Sequence, residues 1–419
     1  MTFTSTDMPL PGRIAPIWRR VAKSRLWDVM AIVVALLSLF RYAKLMPQAA
    51  RASDFSHYYL SCRMLLEGRS PYATPLAPFE REYGLVLSPD SQTGTNPPVL
   101  QWVFAPFALL RPGPAFWLWS LLQAISLGVI LWGTRRLLVG RLSARAWCFL
   151  VCGAVASVPM LKHFTESQTQ LLIGAFLITA FVWQRARRPV AACLAVVFAG
   201  LLKLFPFTLL PWFVWRGGRN WRERALLAGV SLAAIDIAVI ASGPAWWRDF
   251  HQHGLPLVDY WSRNFSYNYC LASLVKHCGG SWNLGLAVGY VSLAAAYALC
   301  LRLREDEETQ FCLVSLAMLI GGTTTWSHYI VLTVFPVAAV AARLADNPSY
   351  ARILLFAFAL MALDNVDALP TVFPEGWPVA RLLWNYTPLF GLLALAVLLV
   401  NQSGIRRMAI KPPRSGSST

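Results

Sequence analysis

Charge is what this chain has least of. Asp, Glu, Lys and Arg make up 14% of its 419 residues, against about 25% in soluble globular proteins. The hydrophobic share is 57%, gathered in long blocks, with a mean hydropathy of +0.50. A soluble domain is excluded; the pattern is that of a polytopic helical membrane protein. Acid is scarcer than base, 20 residues against 37, for a net charge of +17. In a soluble protein that excess would point to nucleic acid. Here no basic stripe can be separated from the short loops between apolar blocks, so nucleic acid is not an expected partner. Loops rich in Lys and Arg are cytoplasmic as a rule, with anionic lipid headgroups as neighbours. Also missing are a Walker loop, a dinucleotide fingerprint and an Asp-X-Asp in a suitable loop, which argues against a soluble nucleotide donor. No cysteine spacing resembles a zinc site.

Five of the eight cysteines, Cys148, Cys152, Cys193, Cys300 and Cys312, fall in or at the ends of apolar spans and read as packing residues. Cys270 and Cys278 share one polar loop, where a disulfide is chemically allowed but its geometry is not established by spacing. The basic stretch Arg19–Arg25 precedes an apolar run reaching Leu45, with no small-residue cleavage site after it. That reads as an uncleaved first helix. Residues 1–16 and 406–419 are expected to be disordered cytoplasmic ends, and residues 17–405 a single transmembrane domain.

A spanning helix needs about 20 apolar residues. Spans are read near 27–45, 115–134, 146–162, 168–184, 189–204, 206–216, 225–243, 284–302, 309–323, 329–345, 350–364 and 381–401, about twelve in all. With both termini in the cytoplasm, the arginines at 135–145, 185–188, 216–224, 302–304 and 406–414 all fall inside. This requires the apolar stretch Pro97–Leu110 to lie in the outer interface or dip and return, since a crossing would put Arg135–Arg145 outside. The amphipathic stretch Phe55–Leu66 reads the same way. The first outer loop then spans 46–114 with two interfacial helices, and a second large one spans 244–283.

On that topology the unusual polar residues gather on the outer side. Asp54 follows the first span, and a carboxylate among aromatics beside a membrane suits proton removal from a sugar hydroxyl. Lys203 lies at the end of an apolar run, where a charge costs about 2.5–3.5 kcal/mol on insertion scales. It either snorkels to headgroups or supplies a point charge for a lipid-linked phosphate. His328, beside Trp326, is either a satisfied interfacial histidine or a proton-transfer and orienting group. Glu166-Ser167-Gln168-Thr169-Gln170 and Asn264-Phe265-Ser266 complete the group. Asp236, inside the seventh span, reads as a buried structural partner rather than part of the site.

These segments resemble the motifs of glycosyltransferase family 87, the polyprenyl-phosphate-sugar-dependent alpha-mannosyltransferases and their relatives. Asp54-Phe55-Ser56-His57-Tyr58-Tyr59 with Gly68-Arg69-Ser70-Pro71-Tyr72 resembles the acidic first-loop motif and its Gly-x-x-Pro-Tyr tail. Asn96-Pro97-Pro98 with Phe104-Ala105-Pro106 resembles Tyr-Pro-Pro and Phe-Ala-Pro. Ser167-Gln168-Thr169-Gln170 stands where the family has Gly-Gln-x-Asn. Lys203-Leu204-Phe205-Pro206 resembles Lys-x-x-Pro, Asn264-Phe265-Ser266 the Asn-x-Ser loop, and Trp326-Ser327-His328-Tyr329 the Trp-x-His-His/Tyr motif. Asn96, Ser167 and Gln170 depart from the pattern.

The resemblance implies an all-α GT-C membrane fold and an inverting enzyme that needs no metal or cofactor. It would move a sugar, mannose in the type case, from a polyprenyl-phosphate donor to a lipid or glycan acceptor at the outer face of the cell membrane during envelope biosynthesis. It implies Asp54 as general base with His328 assisting. Lys203 is the expected contact for the donor phosphate. Tyr58, Tyr59, Tyr72, Gln168, Asn264 and Trp326 are the expected substrate contacts. A transporter or flippase of lipid-linked intermediates, and a structural subunit of an envelope complex, are the competing readings. Crowding of polar groups at one membrane face rather than mid-membrane favours the enzyme.

Overall fold

A computed structural model describes residues 25–87, 93–265, 268–303, 306–344 and 378–409. The expected span near 350–364 and the ends 1–16 and 410–419 lie outside them. Among the described residues every regular element is helical.

Helix α1 (Leu26–Ala49) is the first apolar helix. The chain then turns, and α2 (Asp54–Leu66) begins. Ser53 has extended backbone and its Oγ accepts from the Phe55 amide at 3.2 Å, which caps the helix. Asp54 is left as the first helical residue, where negative charge is favoured. After the short α3 (Ala77–Tyr83) comes α4 (Pro98–Ala108), opened by a proline in its first turn and packed on α2. The two stretches read as surface helices are therefore both helical and lie against each other.

Helix α5 (Pro112–Leu137) leads to α6 (Ala144–Ala156) and α7 (Val158–Thr165), which are bent by 48°. The bend has a local cause: Ser157 is extended, its Oγ caps the Met160 amide, and Pro159 follows. One span expected at 146–162 is thus a broken helix. Helices α8 (Gln170–Arg185) and α9 (Pro189–Leu202) pack on each other, and α8 packs on α5. Lys203 ends α9 with extended backbone, because Pro206 offers no amide to the Leu202 carbonyl and its ring would clash there. A 3-10 turn (Phe205–Leu209), α10 (Leu210–Gly217), α11 (Trp221–Ser242) and α12 (Pro244–Asp249) follow. A π turn (Phe250–Gly254) joins α12 to α13 (Leu255–Asn264), and α14 (Leu271–His277) comes next. Helices α15 (Trp282–Arg302) and α16 (Glu307–Gly321) cross at Gly289 and Gly321. A Cβ on Gly289 would meet the Gly321 carbonyl oxygen at 2.6 Å, so only glycine permits this approach. A 3-10 turn (Ser327–Thr333) runs into α17 (Val334–Leu344), and the chain closes with α18 (Pro378–Asn385) and α19 (Thr387–Ala409).

Five of these stretches are long and apolar enough to cross a membrane among the described residues, six with the bent pair counted. The other apolar helices of this set, such as Gln170–Arg185 and Pro189–Leu202, have 10–17 residues. At about 1.5 Å per residue they fall short of a hydrocarbon core of roughly 30 Å. Asp236 lies on the exposed face of α11, not in a buried pair. All eight cysteines are free thiols. Cys270 and Cys278 flank α14 as its two caps, about 12 Å apart at helical rise, beyond the reach of a disulfide.

The acidic start of α16 forms an ion network. Arg343, with 3% of its side chain exposed, donates to Asp306 and Glu308 at 3.0 Å each and to Thr309. Arg141 grips the same Glu308 through two bonds of 2.6 and 3.2 Å, and Arg216 reaches Glu307 at 2.5 Å. Asp28, near the start of α1, pairs with Arg145 at 2.7 Å. Helices α1, α9 and α16 all start near this arginine-rich end, and their C-terminal ends lead to Asp54, Lys203 and Trp326. Breaking a buried charge pair from one side costs about 3–5 kcal/mol. Arg343→Ala is expected to lose stability on that order, read as a fall in melting temperature in detergent, whereas exposed Arg222→Ala should leave it unchanged.

Candidate functional site

The residues at the far end of the helices enclose a cavity of about 170 Å³. Each wall comes from a place where helix begins, ends or breaks. Asp54, His57 and Tyr58 come from the first turns of α2, and Thr95, Asn96 and Pro97 from the segment leading into α4. Lys203, Leu204 and Phe205 come from the break after α9, and Phe250, Leu255, Val258 and Trp261 from the π turn and α13. Thr323, Thr324 and Trp326, with Tyr329, come from the turn after α16.

Gln168 stands behind this wall and joins its charges. Its side-chain Nε2 donates to the Asp54 carboxylate. Its Oε1 accepts from Lys203 Nζ at 3.2 Å and from the Tyr58 hydroxyl at 3.1 Å. The residue is 1% exposed. Its aim is set by Ser167, which has φ of 55°, a left-handed conformation that favours glycine. This is the position where the family pattern has Gly. The strain, of order 1–2 kcal/mol for a side chain, is held by Trp119, whose indole Nε1 donates to the Ser167 carbonyl at 3.0 Å.

Asp54 is exposed where it meets the cavity, so water reaches its carboxylate there, while the protein packed around the rest of it desolvates the ionised form. That desolvation, followed by the charge of Glu166, raises the Asp54 carboxyl to about 6, against the pull of His57, Lys203 and Gln168. Lys203 is half-buried, with its ammonium 5.3 Å from the centre of the Tyr329 ring.

His328 is placed differently from its expected role. Its side chain is 3% exposed and its Nδ1 lies 2.9 Å from Glu166 Oε2. It packs against Tyr329 with ring centroids 5.1 Å apart. Tyr329 lines the cavity; His328 sits behind it. Glu166 is the link: it holds His328 and its charge acts on Asp54. Sequence reasoning named Glu166 only as a neighbour of Gln168. A pairing across 162 residues leaves no local pattern to read.

The aromatic contacts divide. Tyr58 and Trp326 line the cavity. Tyr59 is one residue on, so it leaves α2 on another side, and its hydroxyl donates to the Leu110 carbonyl at 2.7 Å. Tyr72 is buried and its hydroxyl donates to the Asn96 carbonyl at 2.7 Å, which holds the segment before α4. Both are scaffold rather than wall. Asn264 is also off the wall: it is exposed at the end of α13, with Nδ2 donating to the Tyr260 carbonyl at 2.7 Å and Oδ1 facing Lys276. Among the described residues no group of three or more His, Cys, Asp or Glu could hold a metal ion.

No curated protein matches the chain. Among solved structures, the crystal structure of ArnT from Cupriavidus metallidurans bound to undecaprenyl phosphate is similar over 92% of this chain and 79% of that one. Its identity of 15% and TM-score of 0.38 are too low to assign fold or substrate. The sequence profile of glycosyltransferase family 87 matches residues 95–327, more than half of the chain, and takes in Asn96, Gln168, Lys203 and Trp326. With its apolar helices and that match, the chain belongs to glycosyltransferase family 87 and is a multi-pass membrane glycosyltransferase.

Proposed function

We propose that the protein transfers a sugar, mannose in the first instance, from a polyprenyl-phosphate donor to a lipid or glycan acceptor, with inversion at the anomeric carbon. The observation that supports this reading is the placement of Asp54 and Lys203 around one cavity, bridged by Gln168 with no ion pair between them. A carboxylate that must take a proton and a cation that must meet a phosphate both need an open face, and the bridging amide leaves each one.

The acceptor hydroxyl gives its proton to Asp54 as its oxygen forms the bond to the anomeric carbon. The bond from that carbon to the phosphate oxygen breaks on the opposite side, which inverts the centre, and the electron pair leaves with the phosphate. Lys203 offsets the charge that develops there. Positioning and electrostatic stabilisation of the leaving group supply most of the rate. Trp326 and Tyr58 offer ring faces or edges to the sugar. Asn96 stands where the family pattern has an aromatic and presents an amide instead, so acceptor choice is expected to differ here. Glu166 acts through its charge on Asp54 and by holding His328 in place. The arginine-rich end is assigned to the cytoplasm by the positive-inside rule, which puts the cavity, at the other end of α1, α9 and α16, on the outer face. Single-domain organisation over 17–405, about twelve crossings, the shorter of them made by helices that do not span a full hydrocarbon core alone, and a GT-C fold complete the proposal.

A general base contributes about 10²–10⁴-fold. Asp54→Asn in proteoliposomes with labelled polyprenyl-phosphate mannose should lose at least roughly a hundredfold of transfer; near-normal transfer would reject the assignment. Asp54 must be ionised to act, and its pKa is raised to about 6. Transfer should therefore fall as pH drops through about 6. Glu166→Gln removes a like charge that raises that pKa, so the acid limb of the kcat/KM profile should move to lower pH. A limb that stays in place would show that the titrating group is not Asp54.

A further inference from the structure

His57 follows Asp54 by three residues on α2, so the two side chains leave one face of the helix. Both line the cavity. Three residues of helix advance about 4.5 Å, which sets two polar groups side by side within the width of a sugar. The roles of the two His57 ring nitrogens are distinguishable. Nε2 lies 2.5 Å from the Thr93 carbonyl oxygen. A carbonyl oxygen only accepts, so Nε2 carries the proton. Burial pushes the imidazole below its ordinary pKa, opposed by the Thr93 bond and the Asp54 charge, with Lys203 adding to the depression. A neutral ring protonated on Nε2 has a lone pair on Nδ1. The Thr93 bond also ties His57 to the segment whose next residues, Thr95, Asn96 and Pro97, form another part of the wall.

We propose that His57 Nδ1 accepts a hydrogen bond from a second hydroxyl of the acceptor sugar, and so selects which hydroxyl is presented to Asp54. The inference rests on the reading of Asp54 as the base. Asp54 takes the proton of the attacking hydroxyl, while His57 exchanges none and fixes the orientation of the sugar that carries it. The Nε2 bond to Thr93 keeps the ring from turning, which makes Nδ1 a directional acceptor.

Two substitutions separate the nitrogens. His57→Gln places an amide where Nε2 was, keeping a donor for Thr93 and removing the Nδ1 acceptor. His57→Asn places a carbonyl oxygen near Nδ1 and gives up the Thr93 bond. The assay uses the full-length protein in proteoliposomes, labelled polyprenyl-phosphate mannose as donor, and the lipid and glycan extract of the producing cell as acceptor. His57→Gln should lower kcat/KM roughly tenfold, the scale of one lost hydrogen bond, mainly through the acceptor KM, with an unchanged melting temperature. His57→Asn should recover most of that loss even if its melting temperature falls. Wild-type kcat/KM in His57→Gln overturns the inference, as does a loss in His57→Asn equal to that in His57→Gln. Asp54→Asn measured alongside keeps the two ideas apart: if it transfers normally, the base assignment falls and this inference with it. If it is inactive while His57→Gln is normal, only the role of His57 falls.

Discussion

Gln168 joins the two charges around which the cavity is built. A carboxylate and an ammonium this close would otherwise pair directly, and each would be spent on the other. The amide takes one hydrogen bond to each: its nitrogen donates to Asp54 and its oxygen accepts from Lys203. Both groups are held and both keep a face toward the cavity. The arrangement rests in turn on Ser167, whose left-handed backbone turns Gln168 inward, and on Trp119, which holds the Ser167 carbonyl. A buried amide at this point is worth its desolvation only because both its nitrogen and its oxygen are bonded.

The charged residues of the site come from helix termini. Asp54 is the first residue of α2, Glu166 caps α7 and Lys203 ends α9. Irregular backbone at membrane depth is tolerated where it lines a cavity or is enclosed by protein, and a break frees side chains to turn toward the space between helices. Proline and serine make these breaks locally, at Pro206 after Lys203 and at Ser157–Pro159 between α6 and α7. The opposite end of the bundle carries the ion network of Arg141, Arg343, Glu308 and Asp306, which fastens α16 to α17 and to the segment after α5. The cavity end is held instead by apolar packing, with Phe55, Phe104, Phe116 and Trp119 fully buried beneath the functional polar groups.

Much of this was legible from composition and spacing. Long apolar blocks with little charge require a helical membrane protein. A lysine closing an apolar run before a proline marks a helix end with a charge to account for. The short motifs around Gln168, Lys203 and Trp326 carry the part of the family resemblance that the profile match bears out over residues 95–327, and the motif at Asp54 lies before it. Hydropathy was weaker on crossings, because stretches of 14–16 residues such as α8 and α9 are apolar without being long enough to decide.

The sequence by itself determined the membrane class, the family, and the residue types at the cavity, because these follow from local composition and short-range pattern. Only the tertiary structure decided which of those residues meet. Tyr58 faces the cavity while Tyr59 holds the Leu110 carbonyl, a difference set by rotation about one helix. Asn264 stays outside at the exposed end of α13, and His328 reaches the site through Glu166, 162 residues away. His57 stands beside Asp54 with its Nε2 tied to Thr93. Such pairings depend on how distant helix ends pack, and packing across long sequence separations leaves no trace in the period or spacing of a single chain.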